Sequence, residues 1–239
     1  MSDTPAGSLK ERFETILGSV RRIAGDRATL LAVSKGQSVD DIEALYRLGH
    51  RDFGENYAQE LVEKARELSE VRGCKDIRWH FIGHLQTNKV KMILPWVSFV
   101  HTVDSEKLAR ELDKVWARLG RPGKLPVFVE VNVDREASKA GLEPEAVPAF
   151  VKALPASCPS LEIRGLMCIP AAGLPESETR AAFRRLKELE ACCRPVSQGS
   201  LSMGMSSDFP LALSEGSTHV RVGTALFGPR HYPEKAAQQ

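Results

Sequence analysis

The sequence predicts one α/β domain folded as a (β/α)8 (TIM) barrel, and three observations lead to this fold class. Short apolar runs, such as LLAV at 30–33 and VFVEVNV at 127–133, alternate with amphipathic helical patterns, which is typical of a parallel sheet covered by helices. Eight such runs fit into the chain, the number that a barrel requires. The length of 239 residues also suits barrels, which often run to about 250 residues as one domain. The alternative is an open doubly wound sheet, but the first strand is followed by SKGQS and not by a glycine-rich phosphate loop.

An extra helix is predicted before the first strand, because apolar residues repeat there at helical spacing. Ser8 and Glu11 have the spacing of a capping box, and Gly25 ends the pattern. The apolar stripe consists of Leu9, Phe13, Ile16, Leu17 and Val20.

The remaining elements follow in alternation. Strands are predicted near residues 28–34, 52–55, 78–83, 99–103, 126–133, 162–169, 200–206 and 220–227. Helices are predicted near 39–48, 58–68, 87–94, 105–119, 144–154, 178–193 and 208–214. No linker or repeat divides the chain, so we expect a single domain over residues 1–239 with an ordered core of about 8–230.

Composition excludes several classes of function. A net charge of +2 is too small for sequence-independent nucleic-acid binding. The chain has no apolar stretch of membrane-helix length and no signal-peptide core, so we expect a cytoplasmic protein without a membrane partner. The five cysteines are odd in number and lack C-x-x-C spacing, which indicates thiols rather than disulfides or zinc sites.

Polar residues follow the first two predicted strands, where barrel enzymes build their sites. Lys35 comes directly after an apolar strand; it either extends to the rim or serves as an amine for Schiff-base chemistry. Asn56 ends the second strand and could also cap the next helix. His80 and His84 have metal-pair spacing, but on a strand interrupted by Gly83 they do not share a face, so no metal is expected.

The seventh and eighth strands carry unusual residues. The seventh reads SLSMGMSSD from Ser200, and Gly204 would weaken a strand unless something approaches its backbone closely. Ser206 and Ser207 lead into a helix start, a geometry that suits an anion, although a plain serine cap is the alternative. Arg221 lies between two valines, and a buried guanidinium needs partners.

Gly223 and Thr224 follow Arg221 and add an open backbone and a hydroxyl. Phosphate sites of barrels are commonly built after strands seven and eight. In a closed barrel the first strand neighbours the eighth, so Lys35 would lie beside this phosphate site. A lysine next to a phosphate site suggests pyridoxal 5′-phosphate (PLP) held as an imine.

With these motifs the sequence resembles the pyridoxal phosphate homeostasis protein family, relatives of the barrel domain of alanine racemase. The matching stretches are AVSK (32–35), FGENYAQE (53–60), WHFIGHLQTNK (79–89), EVNV with ASKAG (130–141), RGLMCI (164–169), LSMGMSSDF (201–209) and VRVGTALFG (220–228). The resemblance implies a fold-type III PLP barrel without the C-terminal β-domain of the racemases.

The resemblance also implies roles for single residues. Lys35 would form the imine, Asn56 would lie beside the ring and Met203 near its face. Arg221 would lie towards the pyridine nitrogen. The phosphate would be held by Ser206, Gly223 and Thr224. Relatives often have Pro where this chain has His84, and a hydroxyl residue or Pro where it has Gly36-Gln37.

The expected function is a PLP carrier that buffers the cofactor for vitamin B6 homeostasis and passes it to apo-enzymes. No catalytic residue is expected, because racemisation needs a second base; in the racemases this is a tyrosine of the C-terminal domain. Tyr57 is a weak candidate here, and Tyr46 and Tyr232 are placed on an outer helix and in a tail. The alternatives are a racemase or decarboxylase of the same barrel type and a cofactor-independent Schiff-base aldolase. A monomer is expected, and Lys89 and Lys139 are expected to be rim lysines.

Overall fold

Eight parallel strands close into a barrel in sequence order, in a computed structural model that describes residues 7–136 and 139–229. The strands are β1 Thr29–Val33, β2 Asp52–Glu55, β3 Arg78–Phe81, β4 Val97–Val103, β5 Leu125–Glu130, β6 Leu161–Met167, β7 Ser200–Ser202 and β8 His219–Val222. The ring is completed by β1 and β8, with Leu31 beside Arg221. The predicted barrel is therefore confirmed.

Helices follow the strands and cover the outside of the barrel. They are α1 Leu9–Ala24, α2 Val39–Arg47, α3 Ala58–Arg66, α4 Val90–Ile93, α5 Glu106–Leu119, α6 Val147–Ser157, α7 Glu176–Cys192, α8 Phe209–Ser214 and α9 Thr224–Phe227. The apolar stripe of α5 lies against the barrel, with Leu108, Leu112 and Val115 buried, and its polar face is turned to solvent.

The predicted extra helix is α1. Ser8 and Glu11 form the complete capping box. Arg12 joins α1 to the far end of the chain, since its Nε donates to the carbonyl of Leu226 at 2.7 Å and its Nη2 to that of Phe227 at 3.3 Å. Helix α1 thus packs against α8 and α9, the short helices that follow β7 and β8.

The barrel wall is unequal around its circumference. Strands β5 and β6 share six register pairs, from Leu125 with Leu161 to Glu130 with Met167. Strands β7 and β8 share a single pair, Ser202 with His219.

 The contact between these two strands, called here the β7–β8 seam, is therefore the shortest strand pairing in the barrel. The predicted phosphate site lies next to it.

Strands seven and eight are shorter than predicted, and each has a local cause. Strand β7 ends at Ser202, not at Ser206, because Gly204 has a φ of 95°, and a Cβ there would lie 2.5 Å from the Cβ of Ala212. The close approach expected at Gly204 is therefore that of helix α8. Strand β8 ends at Val222, and the apolar residues that follow form α9, whose Phe227 N–H donates to the carbonyl of Gly223 at 2.9 Å. A short apolar run does not distinguish a strand from a helical turn.

Candidate functional site

A cavity of about 280 Å³ opens at the carboxyl ends of β1, β2, β7 and β8. It is lined by Val33, Lys35, Gln37, Asn56, Ile82, Ile169, Met205, Ser206, Ser207, Arg221, Gly223 and Thr224. Six of the seven residues predicted from the sequence are among these. Larger surface depressions of about 840 and 670 Å³ lie beside α7 and contain none of the seven.

Lys35 lies in a turn whose backbone is held on both sides. Before it, the carbonyl of Ser34 accepts a hydrogen bond from Lys64 Nζ at 2.6 Å. After it, the N–H of Gly36 donates to Glu60 Oε1 at 2.5 Å. Gly36 has a φ of 68°, which a proline cannot adopt. The departure at Gly36 therefore suits the local backbone.

A buried ion cluster supports this turn. Lys64 Nζ lies 2.8 Å from Glu55 Oε1 and 2.7 Å from Glu60 Oε1, and Ser34 Oγ donates to Glu55 Oε1 at 2.7 Å. Burial raises the pKa of the Glu55 carboxyl to about 7, against the effect of Lys64. Sequence reasoning missed this cluster, because a lysine and two glutamates around a helix normally indicate a solvated surface.

Arg221 is buried, with 4% of its surface exposed. Its Nη1 donates to Ser202 Oγ at 2.8 Å and its Nη2 to the carbonyl of Cys168 at 2.9 Å. Burial lowers the pKa of the guanidinium, which nevertheless stays protonated. Glu130 also lies in the field of Arg221, and burial, aided by Asp104, raises its pKa to about 7. The partners of Arg221 are thus neutral oxygens with a carboxyl group further away.

Backbone N–H groups and hydroxyls meet at the seam between β7 and β8. Ser206 Oγ accepts from the N–H of Gly223 at 3.2 Å and from that of Ala225 at 3.4 Å. Thr224 is the first residue of α9. The strand ends therefore place Ser206, Gly223 and Thr224 together, as the sequence predicted.

Asn56 is held at the cavity by the close approach of another strand end. A Cβ at Gly83 would lie 2.1 Å from the carbonyl oxygen of Asn56, so only glycine fits there. Within the described part of the chain, the buried Oδ1 of Asn56 has no hydrogen-bond partner. A buried acceptor of this kind at a cavity is suited to a ligand.

Met203 is placed differently from the other predicted residues. It is fully buried and is not among the residues that line the cavity, whereas Met205 is. Both methionines belong to the same MGM motif, and the positive φ of Gly204 between them breaks the alternation that a strand would give. The sequence-based reasoning also missed Gln37, Ile82 and Ile169, whose apolar or amide side chains gave no signal.

The other described residues that were singled out in the sequence do not line the cavity. Lys89 is exposed. Lys139 Nζ lies 2.8 Å from Glu136 Oε1 and 3.3 Å from the carbonyl of Ile169. His84 is mostly exposed and lies 3.8 Å from Asp104. Tyr57 is 53% exposed, and Ser138 and Tyr232 lie outside the described residues.

Two classes of feature are absent from residues 7–136 and 139–229. No group of three or more His, Cys, Asp or Glu side chains there could hold a metal ion. No helix in these ranges is long and apolar enough to cross a membrane.

Comparison with known proteins places the chain in a family. The family described as the alanine racemase N-terminal domain matches residues 11–231. The pyridoxal phosphate homeostasis protein of Bos taurus is 45% identical over 214 residues, which cover 86% of this chain and 78% of that protein. The protein of the same name from Pseudomonas aeruginosa is 43% identical over 239 residues, 96% of this chain and 99% of its own.

The chain belongs to the pyridoxal phosphate homeostasis protein family. Among solved structures, PipY of Synechococcus elongatus PCC7942 with PLP bound is 36% identical, with a TM-score of 0.81, and the match covers 92% of this chain and all of that one. Alanine racemase from Bartonella henselae matches with a TM-score of 0.70 at 17% identity, over 95% of this chain and 60% of the racemase. At that identity the racemase supports the barrel fold alone.

Proposed function

We propose that this protein binds PLP in the cavity at the carboxyl ends of β1, β2, β7 and β8, and holds it in reserve for other proteins. The observation that carries the proposal is the meeting of an amine, a buried guanidinium and a group of N–H and hydroxyl donors around one cavity of about 280 Å³. These are Lys35, Arg221 and the Ser206–Gly223–Thr224 group. The proposal is also supported by relatives named for pyridoxal phosphate homeostasis and by PipY, whose structure has PLP bound.

Lys35 is the residue assigned to covalent attachment. PLP supplies a reactive aldehyde, with which the Lys35 amine condenses as one water molecule leaves. The reverse reaction with water or with another amine releases the cofactor. A bond of this kind is covalent yet exchangeable, which is what a reserve of a reactive aldehyde requires.

The remaining residues divide between the ring and the phosphate. The hydroxyls of Ser206 and Thr224 are neutral donors suited to phosphate oxygens, and the N–H of Gly223, which donates to Ser206 Oγ in this structure, lies beside them. Arg221, anchored by Ser202 and Cys168, is assigned to the pyridine nitrogen. A guanidinium there keeps the ring nitrogen unprotonated and so weakens the ring as an electron sink.

The cavity also favours storage over turnover. The described residues that line it include no Asp, Glu or His side chain, and Lys35 is the amine assigned to the cofactor. Racemisation needs a second base on the opposite face of the ring, and Tyr57 is mostly exposed and does not line the cavity. We therefore propose a carrier rather than an enzyme. A single-domain monomer in the cytoplasm is part of this proposal, and light scattering of the purified protein tests the monomer.

The experiment is a visible absorption spectrum of the purified protein with PLP, before and after borohydride. We expect a yellow band that borohydride removes, with the cofactor then fixed to the chain. Lys35→Ala should lack the band, whereas Lys89→Ala, a matched change at an exposed lysine, should keep it. A protein that stays colourless with added PLP would overturn the proposal.

A second measurement separates a carrier from an enzyme. Loaded protein is mixed with an apo-enzyme that requires PLP, and separately with L- and D-amino acids. Regained activity of the apo-enzyme without change in optical rotation is expected. Turnover of an amino acid at ordinary enzymatic rates, lost in Lys35→Ala, would favour a racemase or decarboxylase instead.

A further inference from the structure

A row of hydrogen-bonded side chains runs through the barrel interior from the start of β2 to the cavity. It consists of Asp52, His80, His101, Ser202 and Arg221, all buried. His80 Nε2 lies 3.1 Å from Asp52 Oδ1, and His80 Nδ1 lies 3.0 Å from His101 Nε2. His101 Nδ1 lies 2.9 Å from Ser202 Oγ, and Ser202 Oγ lies 2.8 Å from Arg221 Nη1. The row therefore has no break between its carboxylate and its guanidinium.

The carboxylate end fixes the proton position on the first histidine. Asp52 also accepts two hydrogen bonds from Arg78, at 2.7 and 2.5 Å. Although burial opposes ionisation, the hydrogen bonds from His80 and Arg78 hold the pKa of Asp52 well below its usual value. An ionised carboxylate only accepts hydrogen bonds. His80 must therefore carry its proton on Nε2.

The proton position on His80 then determines the donor-to-acceptor direction of the next hydrogen bonds in the row. Burial lowers the pKa of both His80 and His101, and a neutral imidazole has one donor and one acceptor nitrogen. His80 Nδ1 thus accepts from the Nε2–H of His101, and His101 Nδ1 accepts from the hydroxyl of Ser202. At the other end a guanidinium only donates, so Ser202 Oγ accepts from Arg221. Both ends impose the same direction.

We propose that Asp52, His80, His101 and Ser202 are positioning residues that hold the Arg221 guanidinium in one orientation at the cavity. The proposal rests on the PLP-binding function proposed above. Ser202 Oγ accepts from Arg221 while it donates its own proton to His101, and His101 can accept that proton only in the tautomer that His80 imposes. Because buried hydrogen bonds in series strengthen one another, a change at one member is expected to reach Arg221.

The first test uses the whole protein without added aldehyde, so it does not depend on PLP binding. Long-range ¹H–¹⁵N correlation spectra of histidine-labelled protein at neutral pH report which ring nitrogen carries the proton. Protons on Nε2 of both His80 and His101 are expected. A proton on Nδ1 of either ring overturns the proposal, whatever the outcome with PLP.

The second test measures PLP affinity and the visible band in Ser202→Ala and Ser217→Ala. Ser217 is a matched control, because it is equally buried but its hydroxyl donates only to backbone carbonyls, such as that of Met203 at 2.7 Å. Ser202→Ala is expected to raise the Kd for PLP about tenfold and to move the visible band, since Arg221 loses one anchor. Ser217→Ala should bind as the wild type does. Equal affinity and an equal band in the two variants would overturn the proposal.

Asp52→Asn serves as a second variant at the opposite end of the row, away from the cavity lining. An amide can donate or accept, so the fixed proton direction is lost. A mixture of His101 tautomers and a Kd raised several-fold are expected; unchanged tautomers would overturn the proposal even if Ser202→Ala does not fold. If the wild type fails to bind PLP while its tautomers are as expected, the proposed function fails and the direction of the row stands.

Discussion

The two ends of the barrel interior differ in how many of their polar side chains are left without a partner. At the amino ends of the strands, Asp52, Arg78 and His80 pair with one another. At the carboxyl ends, Asn56 keeps a buried acceptor without a partner among the described residues, and Thr224 faces the cavity. Polar groups that satisfy each other add to stability, whereas those left facing a cavity form a site. The two ends should therefore respond to different perturbations.

The amino end should respond most strongly to acid. Burial lowers the pKa of four histidines, to about 4 at His50 and about 3 at His219, and also at His80 and His101. Below about pH 6.5 the unfolded chain binds more protons at these histidines than the folded one, so stability falls as pH falls.

Two carboxyl groups oppose this trend. Burial raises the pKa of Glu55 and of Glu130 to about 7, so between about pH 4.5 and pH 7 the folded state binds more protons there, and stability rises as pH falls. The four histidines outweigh the two carboxyls, and the free energy of unfolding should drop by about 3 kcal/mol from pH 7 to pH 5. Urea denaturation at the two pH values measures this drop. Glu130→Gln should enlarge it, and a stability that is flat or higher at pH 5 would contradict the prediction.

The wall beside the cavity can be tested at Gly204. Gly204→Ala forces a side chain into a φ of 95° and against Ala212, and we expect a loss of about 3 kcal/mol in the free energy of unfolding. Gly123→Ala is the matched control, because its φ is also positive at 76° but no atom lies within 4 Å of the added Cβ. It should lose only about 1 kcal/mol. Equal losses in urea denaturation would show that the contact with α8 does not matter.

Thr224→Val tests the carboxyl end without disturbing the other end. The substitution keeps the shape of the side chain and removes the hydroxyl assigned to the phosphate. We expect the Kd for PLP to rise about tenfold, or about 1.4 kcal/mol, while the urea midpoint stays the same. The titration is followed by the visible band. An unchanged Kd would refute the phosphate assignment.

The smallest effects distinguish the two methionines. Met203→Leu is a volume-conserving change in the core and should cost less than about 1.5 kcal/mol of stability, with the affinity for PLP unchanged. Met205→Leu alters the cavity lining, and we expect a two- to three-fold change in Kd with little change in stability. A change of affinity in Met203→Leu but not in Met205→Leu would support the position near the ring face that the family resemblance implies for Met203.

Local patterns were sufficient to predict the fold. The capping box of Ser8 and Glu11, the stripe of α5 and the apolar strands each depend on neighbours in sequence. Lys35, Arg221 and Thr224 were also predictable as residues that line the cavity, because each is a polar residue that interrupts or directly follows an apolar strand pattern. The residues at which β7 and β8 end were not predictable from the sequence, since the conformation of Gly204 and the start of α9 depend on contacts with other elements.

The interior row escaped prediction for a different reason. Asp52, His101 and Ser202 lie on three different strands, and in strands covered on both faces the sequence does not show which side chains point inward. His80 was noted only for a metal-pair spacing with His84. The Glu55–Lys64 cluster was hidden in the same way, because its members look like ordinary surface charges. Such networks can be recognised only in the folded structure, where the closed barrel brings their members together.

The short seam between β7 and β8 has one further consequence. The two strands share a single register pair, and Ser206 and Gly223 stand on its two sides. A phosphate bound to both residues would connect β7 to β8, the two neighbouring strands that share the fewest register pairs. Loading with cofactor should thus slow amide hydrogen exchange at this seam first. The exchange rate of the amides between β7 and β8 would then measure how much of the protein carries the cofactor.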